Sequence, residues 1–146
     1  MAKTPRQLRQ GLRKVVVRGV EFRRTIAHYD KQLPAVVSTP SMIGQMEVAA
    51  AKLLRPFLPR GSISVGTHIN VSHVTPATVG EKLRVTAEFD HIYQPKNSGR
   101  LRYVFKVEAR VRKRLVGVGT VERAVVTPRS SRRGALPAVH PRRSRG

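Results

Sequence analysis

One glutamate lies beside the apolar stripe of an otherwise apolar, helix-like segment. Glu47 comes four residues after Ile43 and three before Ala50. On a helix a lysine four residues further on would neutralise it, but that position is Ala51. A buried carboxylate without a partner is costly, so such carboxylates are candidates for catalysis or binding. The alternative is that Glu47 reaches the solvent edge or a strand backbone and has no chemical role.

A histidine lies in an apolar alternating pattern. His73 shares its phase with Val65, Ile69 and Val71, which predicts that its imidazole points toward the apolar side of a strand. Imidazole exchanges protons near neutral pH, so His73 is a candidate acid or base. Taken alone, a histidine in such a place is more often a hydrogen-bonded core residue.

Thr39 stands immediately before Pro40, where a helical pattern begins. This order predicts Thr39 as the N-cap and Pro40 as the first helical residue. A hydroxyl there also lies where backbone N–H groups and the helix dipole favour developing negative charge, which is the chemical alternative. The remaining four histidines show no ligand spacing, so no metal site is predicted.

The helix that carries Thr39 and Glu47 is predicted from apolar residues spaced by three and four. Its other positions are mostly small or apolar as well, which is typical of a helix wrapped by other elements. Pro56, Pro59 and Gly61 end the pattern. The apolar positions are Ile43, Met46, Ala50, Leu53 and Phe57.

Four segments after the helix alternate with the period of two that predicts strands. They cover residues 65–73, 82–93, 101–112 and 115–126. An irregular strand-like pattern also runs earlier, from Val15 to Ile26, and Gly117 and Gly119 predict a bulge in the last strand. Consecutive strands with one apolar face predict an α+β fold, with an antiparallel β-sheet around one long central helix.

The same alternation assigns side chains to faces. It places Gly66 and His73 on opposite faces of one strand. It places His91 and Tyr93 on the apolar face of the next strand.

The chain of 146 residues carries 29 Lys plus Arg against 8 Asp plus Glu, a net charge of +21. Residues 1–24 hold eight basic residues and one acid, and residues 127–146 hold six arginines and no acid, so most of the excess lies near the ends. We therefore divide the chain into a basic N-terminal arm (1–14), a folded domain (15–126) and a disordered basic C-terminal tail (127–146).

Composition excludes several classes of protein. There is no cysteine, which excludes disulfides, thiolate metal sites and a cysteine nucleophile. No apolar run approaches the roughly 18 residues of a membrane-spanning helix. We expect a cytoplasmic protein, or one of an organelle matrix if residues 1–14 are a targeting segment.

Three stretches resemble a known family, the hotdog-fold acyl-CoA thioesterases related to fluoroacetyl-CoA thioesterase. The resemblance runs from about Val15 to Val126 and implies the hotdog fold. Its motifs are SerThrProSerMetIle at 38–43 with Glu47, SerValGlyThrHisIleAsnValSerHis at 64–73, and the turn ThrProAlaThrValGly at 75–80.

The resemblance also implies a functional set. The family has a Thr at the helix start, a Glu eight residues on, a Gly in the following strand and a His seven after that Gly. These positions are Thr39, Glu47, Gly66 and His73 in this chain. The phenylalanines that gate the acyl pocket of the fluoroacetyl-specific member are absent from residues 29–34, so the resemblance does not extend to acyl specificity.

The implied reaction is hydrolysis of an acyl-CoA thioester. Thr39 or an activated water attacks the carbonyl, His73 transfers the proton, and Glu47 acts as base or orients the nucleophile. The Gly66 N–H binds the thioester oxygen. Which of Thr39 and Glu47 is the covalent nucleophile stays open, and no cofactor is implied beyond the coenzyme A of the substrate.

Spacing predicts where these residues meet. Eight helix residues separate Thr39 from Glu47, about 12 Å of rise, and seven strand residues separate Gly66 from His73, about 23 Å. One chain cannot unite all four. A two-fold dimer unites them if residues 64–74 form an edge strand that pairs with its own copy about a centre between Ile69 and Asn70. We therefore predict a homodimer, or a dimer of dimers.

Two other functions are compatible with the sequence. The first is a nucleic-acid-binding or ribonucleoprotein-associated protein that uses its basic arms. The second is an acyl-CoA-binding protein without catalysis.

Overall fold

Five strands form one antiparallel sheet that wraps around a helix. The computed structural model describes residues 7–97 and 99–128. The strand order is β1-β3-β4-β5-β2, so β1 (Arg13–Gly19) and β2 (Ile63–His73) are the edges. Between them lie β3 (Lys82–Tyr93), β4 (Arg102–Val111) and β5 (Arg114–Val126). Helix α1 (Thr39–Leu54) packs on one face and contacts every strand, which confirms the predicted α+β architecture.

The apolar stripe of α1 builds the core with the inward face of the sheet. Met42 and Met46 lie on the side of α1 that faces the sheet and are fully buried. Phe105 on β4 has the largest fully buried side chain among the described residues. A 3₁₀ turn at Arg55–Phe57 follows the helix, as its proline predicts. The wrapped helix expected from its all-round apolar sequence is therefore confirmed.

The start of α1 differs from the prediction by one residue. Ser38, not Thr39, is the N-cap: its backbone is extended, and its hydroxyl oxygen accepts a hydrogen bond from the Ser41 N–H at 3.2 Å. Thr39 is the first helical residue and Pro40 the second, where a missing N–H costs nothing because that group has no helical partner. The Thr39 hydroxyl therefore does not cap the helix and is available for another hydrogen bond.

The predicted irregular strand from Val15 to Ile26 is wrong in its second half. β1 ends at Gly19, and two 3₁₀ turns follow at Phe22–Arg24 and Ile26–His28. The buried Thr25 joins them, because its hydroxyl donates to the Phe22 carbonyl at 2.6 Å. Local hydrogen bonds here replace those of a sheet ladder.

The bulge predicted in the last strand is confirmed beside Gly117 but not at Gly119. Ala109 on β4 pairs with Gly117 whereas Arg110 pairs with Leu115, so Val116 is the extra residue. On its other side β5 pairs regularly with β2 through both glycines, and the irregularity of that ladder lies on β2 between Gly66 and His68. Both glycines also permit close approach of neighbouring atoms. A Cβ on Gly119 would lie 2.0 Å from the Asn70 carbonyl oxygen, and one on Gly117 would lie 2.4 Å from the sulfur of Met42.

A third irregularity, between Phe89 and His91 on β3, corrects a predicted face. The extra residue turns Tyr93 to the outer face of the sheet, where its hydroxyl donates to the Glu122 carboxylate. This hydrogen bond raises the pKa of Tyr93 above its ordinary value. His91 lies beside Asp90 and is exposed rather than in the core.

Part of the predicted N-terminal arm packs on the domain. Leu8 and Leu12 contact the core, and the Gly11 N–H donates to the Phe89 carbonyl at 2.9 Å. Residues 1–6 and most of the predicted tail, 129–146, lie outside the described residues. None of the helices in the described ranges combines the length and apolarity needed to cross a membrane.

Candidate active site

Thr39 and His73 meet at the N-terminus of α1. The Thr39 Oγ1 lies 2.8 Å from Nδ1 of His73, the last residue of β2. In the tautomer with its proton on Nε2, the imidazole accepts this hydrogen bond from the hydroxyl. The Nε2 atom is buried and has no hydrogen-bond partner among the described residues. A hydroxyl joined to an imidazole is the usual arrangement of a nucleophile with its base.

Glu47 and Gly66 form a second pair, about two helical turns away. A Cβ on Gly66 would lie 2.5 Å from the Glu47 Oε1. The backbone of Gly66 is not in the left-handed region, so glycine is needed here for space and not for conformation. The carboxylate therefore lies directly over the strand backbone.

The bulge on β2 corrects the predicted faces of Gly66 and His73. In a regular strand, residues seven apart point to opposite faces. Gly66 pairs with Arg123 and His68 with Glu122, so Thr67 is the extra residue. One extra residue brings Gly66 and His73 to the same face, toward α1.

Arg123 is a buried cation near Glu47 and Gly66 that the sequence motifs did not predict as a candidate. It lies opposite Gly66 on β5 and is only 8% exposed. Its Nε donates to the Ser64 Oγ at 2.8 Å, and its Nη2 donates to the Ser64 carbonyl at 3.0 Å. Burial lowers the pKa of Arg123, and the Glu47 carboxylate opposes that shift. The sequence does carry a signal for the burial of Arg123, because this residue lies two positions after the inward-facing Val121 and so shares its face of the strand.

Gln45 fixes the roll of the helix and so positions both Thr39 and Glu47. Its side-chain amide is buried and donates to the Val16 carbonyl at 3.1 Å and the Leu83 carbonyl at 2.8 Å. These contacts hold one side of α1 against β1 and β3. No sequence signal distinguished this glutamine from a solvent-exposed one.

The four predicted residues thus form two pairs in one chain, not one site. One pair is Thr39 with His73. The other pair, Glu47 with Gly66, lies at a different place along α1 and β2. β2 is an edge strand, and Ile69 on it is 42% exposed. Across residues 7–97 and 99–128, no group of three His, Asp or Glu side chains is arranged to hold a metal ion.

Comparison with known proteins identifies the family. A model of the fluoroacetyl-CoA-specific thioesterases (FlK) matches residues 20–129, about three quarters of the chain. The chain belongs to the FlK family. The resemblance inferred from the sequence motifs is thereby confirmed.

Individual FlK-family relatives are moderately similar. The chain is 36% identical over 95 residues to fluoroacetyl-CoA thioesterase from Streptantibioticus cattleyicolor, which covers 65% of this chain and 64% of that protein, so less than two thirds of that relative is spanned. A solved structure of FlK aligns with a TM-score of 0.73 at 31% identity over 84% of this chain and 90% of that one. An FlK variant in complex with acetyl-CoA gives 0.74 at 29%, over 83% and 91%.

A solved structure outside the FlK enzymes supports the same fold. A hot-dog-like protein from Thermanaerovibrio acidaminovorans aligns with a TM-score of 0.72 at 27% identity over 82% of this chain and 84% of that one. The sheet around one helix described above is therefore the hotdog fold.

Proposed function

We propose that this protein hydrolyses an acyl-CoA thioester to a free acid and coenzyme A, at two equivalent sites completed by a two-fold dimer. The observation that carries the proposal is the contact between Thr39 and His73 in a chain of the FlK family. Family relatives named for thioester hydrolysis, one of them bound to acetyl-CoA, support the substrate class.

The proposed chemistry begins with attack on the thioester carbonyl. Either the Thr39 hydroxyl or a water between Glu47 and the substrate adds to the carbon, and His73 or Glu47 takes the proton. The Gly66 N–H and the buried positive charge of Arg123 stabilise the oxyanion that forms. The C–S bond then breaks, and the proton returns to the leaving thiolate. A second attack by water releases the acid if Thr39 was acylated.

The bulge at Thr67 changes the dimer register that spacing alone predicted. A centre between Ile69 and Asn70 would pair side chains from opposite faces of the sheet, which an antiparallel ladder does not allow. With Thr67 outside the ladder, six steps separate Gly66 from His73. The centre then falls on Asn70, and Gly66 lies opposite His73 of the partner subunit with both facing the helix layer.

Paired edges of this kind join the two halves of each site. Thr39 and His73 of one subunit would lie beside Glu47 and Gly66 of the other. Pairing would also cover the exposed backbone edge of β2 and its apolar side chains Val65 and Ile69.

Mixing two inactive variants tests both the reaction and the shared site. Glu47→Ala and His73→Ala should each reduce thiol release from short acyl-CoAs by at least about a hundredfold. When both proteins are mixed under conditions of subunit exchange, half of the dimers are mixed and each has one intact site. About a quarter of the parental rate should return.

The controls separate the alternatives. A double variant, which carries Glu47→Ala and His73→Ala on the same chain, forms dimers with no intact site. Its thiol release should therefore stay as low as that of the single variants alone. Failure of the mixture to recover would contradict a shared site, while parental rates in both single variants would contradict catalysis by this set. Tight acyl-CoA binding without thiol release by the parent would identify a non-catalytic binding protein instead.

A further inference from the structure

A basic groove lies on the face of the sheet that is turned away from α1. It has a volume of about 800 Å³, and its floor is the outer face of β1 and β3, where Val17 pairs with Arg84. The turn between β4 and β5 forms one wall. Inward neighbours such as Val16 and Leu83 are buried, so the groove and the Thr39–His73 pair lie on opposite sides of the sheet.

Four exposed cations line this groove and form no ion pair within the part of the chain that the structure describes. They are Lys82, Arg84, Arg112 and Lys113. No ion pair joins any of them to an acid among the described residues. The groove's one acid, Glu81, is already held by Arg114 at 2.9 Å. Within residues 7–97 and 99–128 the four positive charges are therefore uncompensated.

The backbone at Arg112 is a second, independent observation. The turn between β4 and β5 has two residues, and Arg112 is the first, with φ of 52°. No other non-glycine residue in the described ranges has positive φ. Short hairpins usually place Gly or Asn at such positions, because a Cβ is strained there. A cation therefore stands on the rim of the groove at a position where glycine would be less strained.

We propose that this groove binds the phosphate backbone of a nucleic acid, independently of the thioesterase site. Unpaired Lys and Arg side chains on an open concave surface neutralise phosphates in a row. None of the described residues that line the groove is aromatic, so the groove offers no platform on which bases could stack.

Other anions fit the groove less well. A free nucleotide needs a pocket for its base, and the lining offers only two valines as apolar groups. A bilayer surface is flat, whereas these four charges surround a concavity. The net charge of +21 adds a long-range attraction that favours a long polyanion over a small one.

The test compares two variants of equal charge in the full chain. One replaces Lys82, Arg84, Arg112 and Lys113 by Ala. The control replaces four exposed cations elsewhere, Lys31, Arg55, Arg60 and Lys96, by Ala. Binding of a labelled, unstructured single-stranded RNA is measured by fluorescence anisotropy over a salt series.

For the groove variant, the slope of log K against log salt concentration should be shallower by about three units. The reason is that each of the four lost phosphate contacts contributes about 0.7 to the slope. The control should lose less than one unit, and both should retain parental thiol release. Equal losses in both variants, or no loss in either, would overturn the proposal. So would preference of the parent for anionic vesicles or for free nucleotide at equal phosphate concentration.

Arg112→Gly separates a binding role from a structural one. Glycine relieves the positive φ, so the melting temperature should stay equal or rise while the salt slope falls by about 0.7. Loss of stability with unchanged RNA binding would show that Arg112 serves the turn and would contradict its place in the site.

Discussion

At Gly66 the missing side chain makes room for the Glu47 carboxylate, whose Oε1 lies 2.5 Å from where a Cβ would be. Arg123 and Ser64 surround the same point, so three polar side chains converge on a bare stretch of backbone. This convergence depends on no unusual backbone angle. It depends on one absent methyl group.

Gly66→Ala should therefore lower activity without unfolding the protein. The new methyl group displaces the end of a flexible side chain, which the fold tolerates, but it moves the carboxylate and covers the N–H proposed to bind the oxyanion. We expect a loss in kcat of at least about a hundredfold, as for removal of one oxyanion donor. Thiol-release kinetics and thermal melting measure the two effects.

Gly44→Ala is the matched control. A Cβ on Gly44 would meet nothing within 4 Å, on the exposed side of α1. Replacing a helical glycine by alanine should stabilise the protein by about 1 kcal/mol and leave thiol release unchanged. Equal activity losses in both variants would contradict a specific role for the space at Gly66.

At the scale of elements, Glu81 ties the loop before β3 to the start of β5. The Thr78 N–H and hydroxyl donate to its Oε1 at 2.8 and 2.9 Å, and Arg114 donates to both carboxylate oxygens. Hydrogen bonds from Thr78, and then from Arg114, hold the pKa of Glu81 below its ordinary value of 4.5. The ionised carboxylate thus favours the folded state.

The stability that Glu81 contributes should depend on pH in a defined direction. Because its folded pKa is lowered, the contribution is complete above about 4.5 and is lost as the pH falls through the folded value. Glu81→Gln should melt below the parent at neutral pH, and the two melting temperatures should converge at low pH. A difference that stays constant over this range would contradict the assignment.

At the scale of the whole molecule, the proposed dimer places the edge strand β2 at the centre of the interface. With Asn70 at the two-fold centre, its side chain lies opposite its own copy, roughly 5 Å apart between Cβ atoms. Like charges at that distance destabilise a strand pair. The centre inferred from unbulged spacing would instead place Asn70 opposite Ile69.

Charge substitutions at Asn70 distinguish these registers. Asn70→Lys and Asn70→Glu should each dissociate the dimer and lower thiol release, because each charge repels its copy. A mixture of the two should reassociate and recover activity. Asn70→Thr, which keeps a neutral strand-forming residue, is the control. Sedimentation and thiol release report the outcome, and dimers in both charged variants alone would contradict this centre.

The sequence by itself determined what is local. The period of α1, the spans of β2 to β5 and the polar candidates Thr39, Glu47 and His73 follow from patterns within a few residues of each other. The motifs identified the family, since each is a contiguous run.

Tertiary structure decided what depends on a neighbour in space. The bulges after Gly66 and Phe89 arise from register against another strand, and they reassign every later side chain on their strands. The burial of Arg123 beside Glu47 is likewise invisible until β5 pairs with β2. The reason is physical: alternation within a strand is set by its own backbone, but the face that each residue presents is set by the hydrogen bonds to its partner.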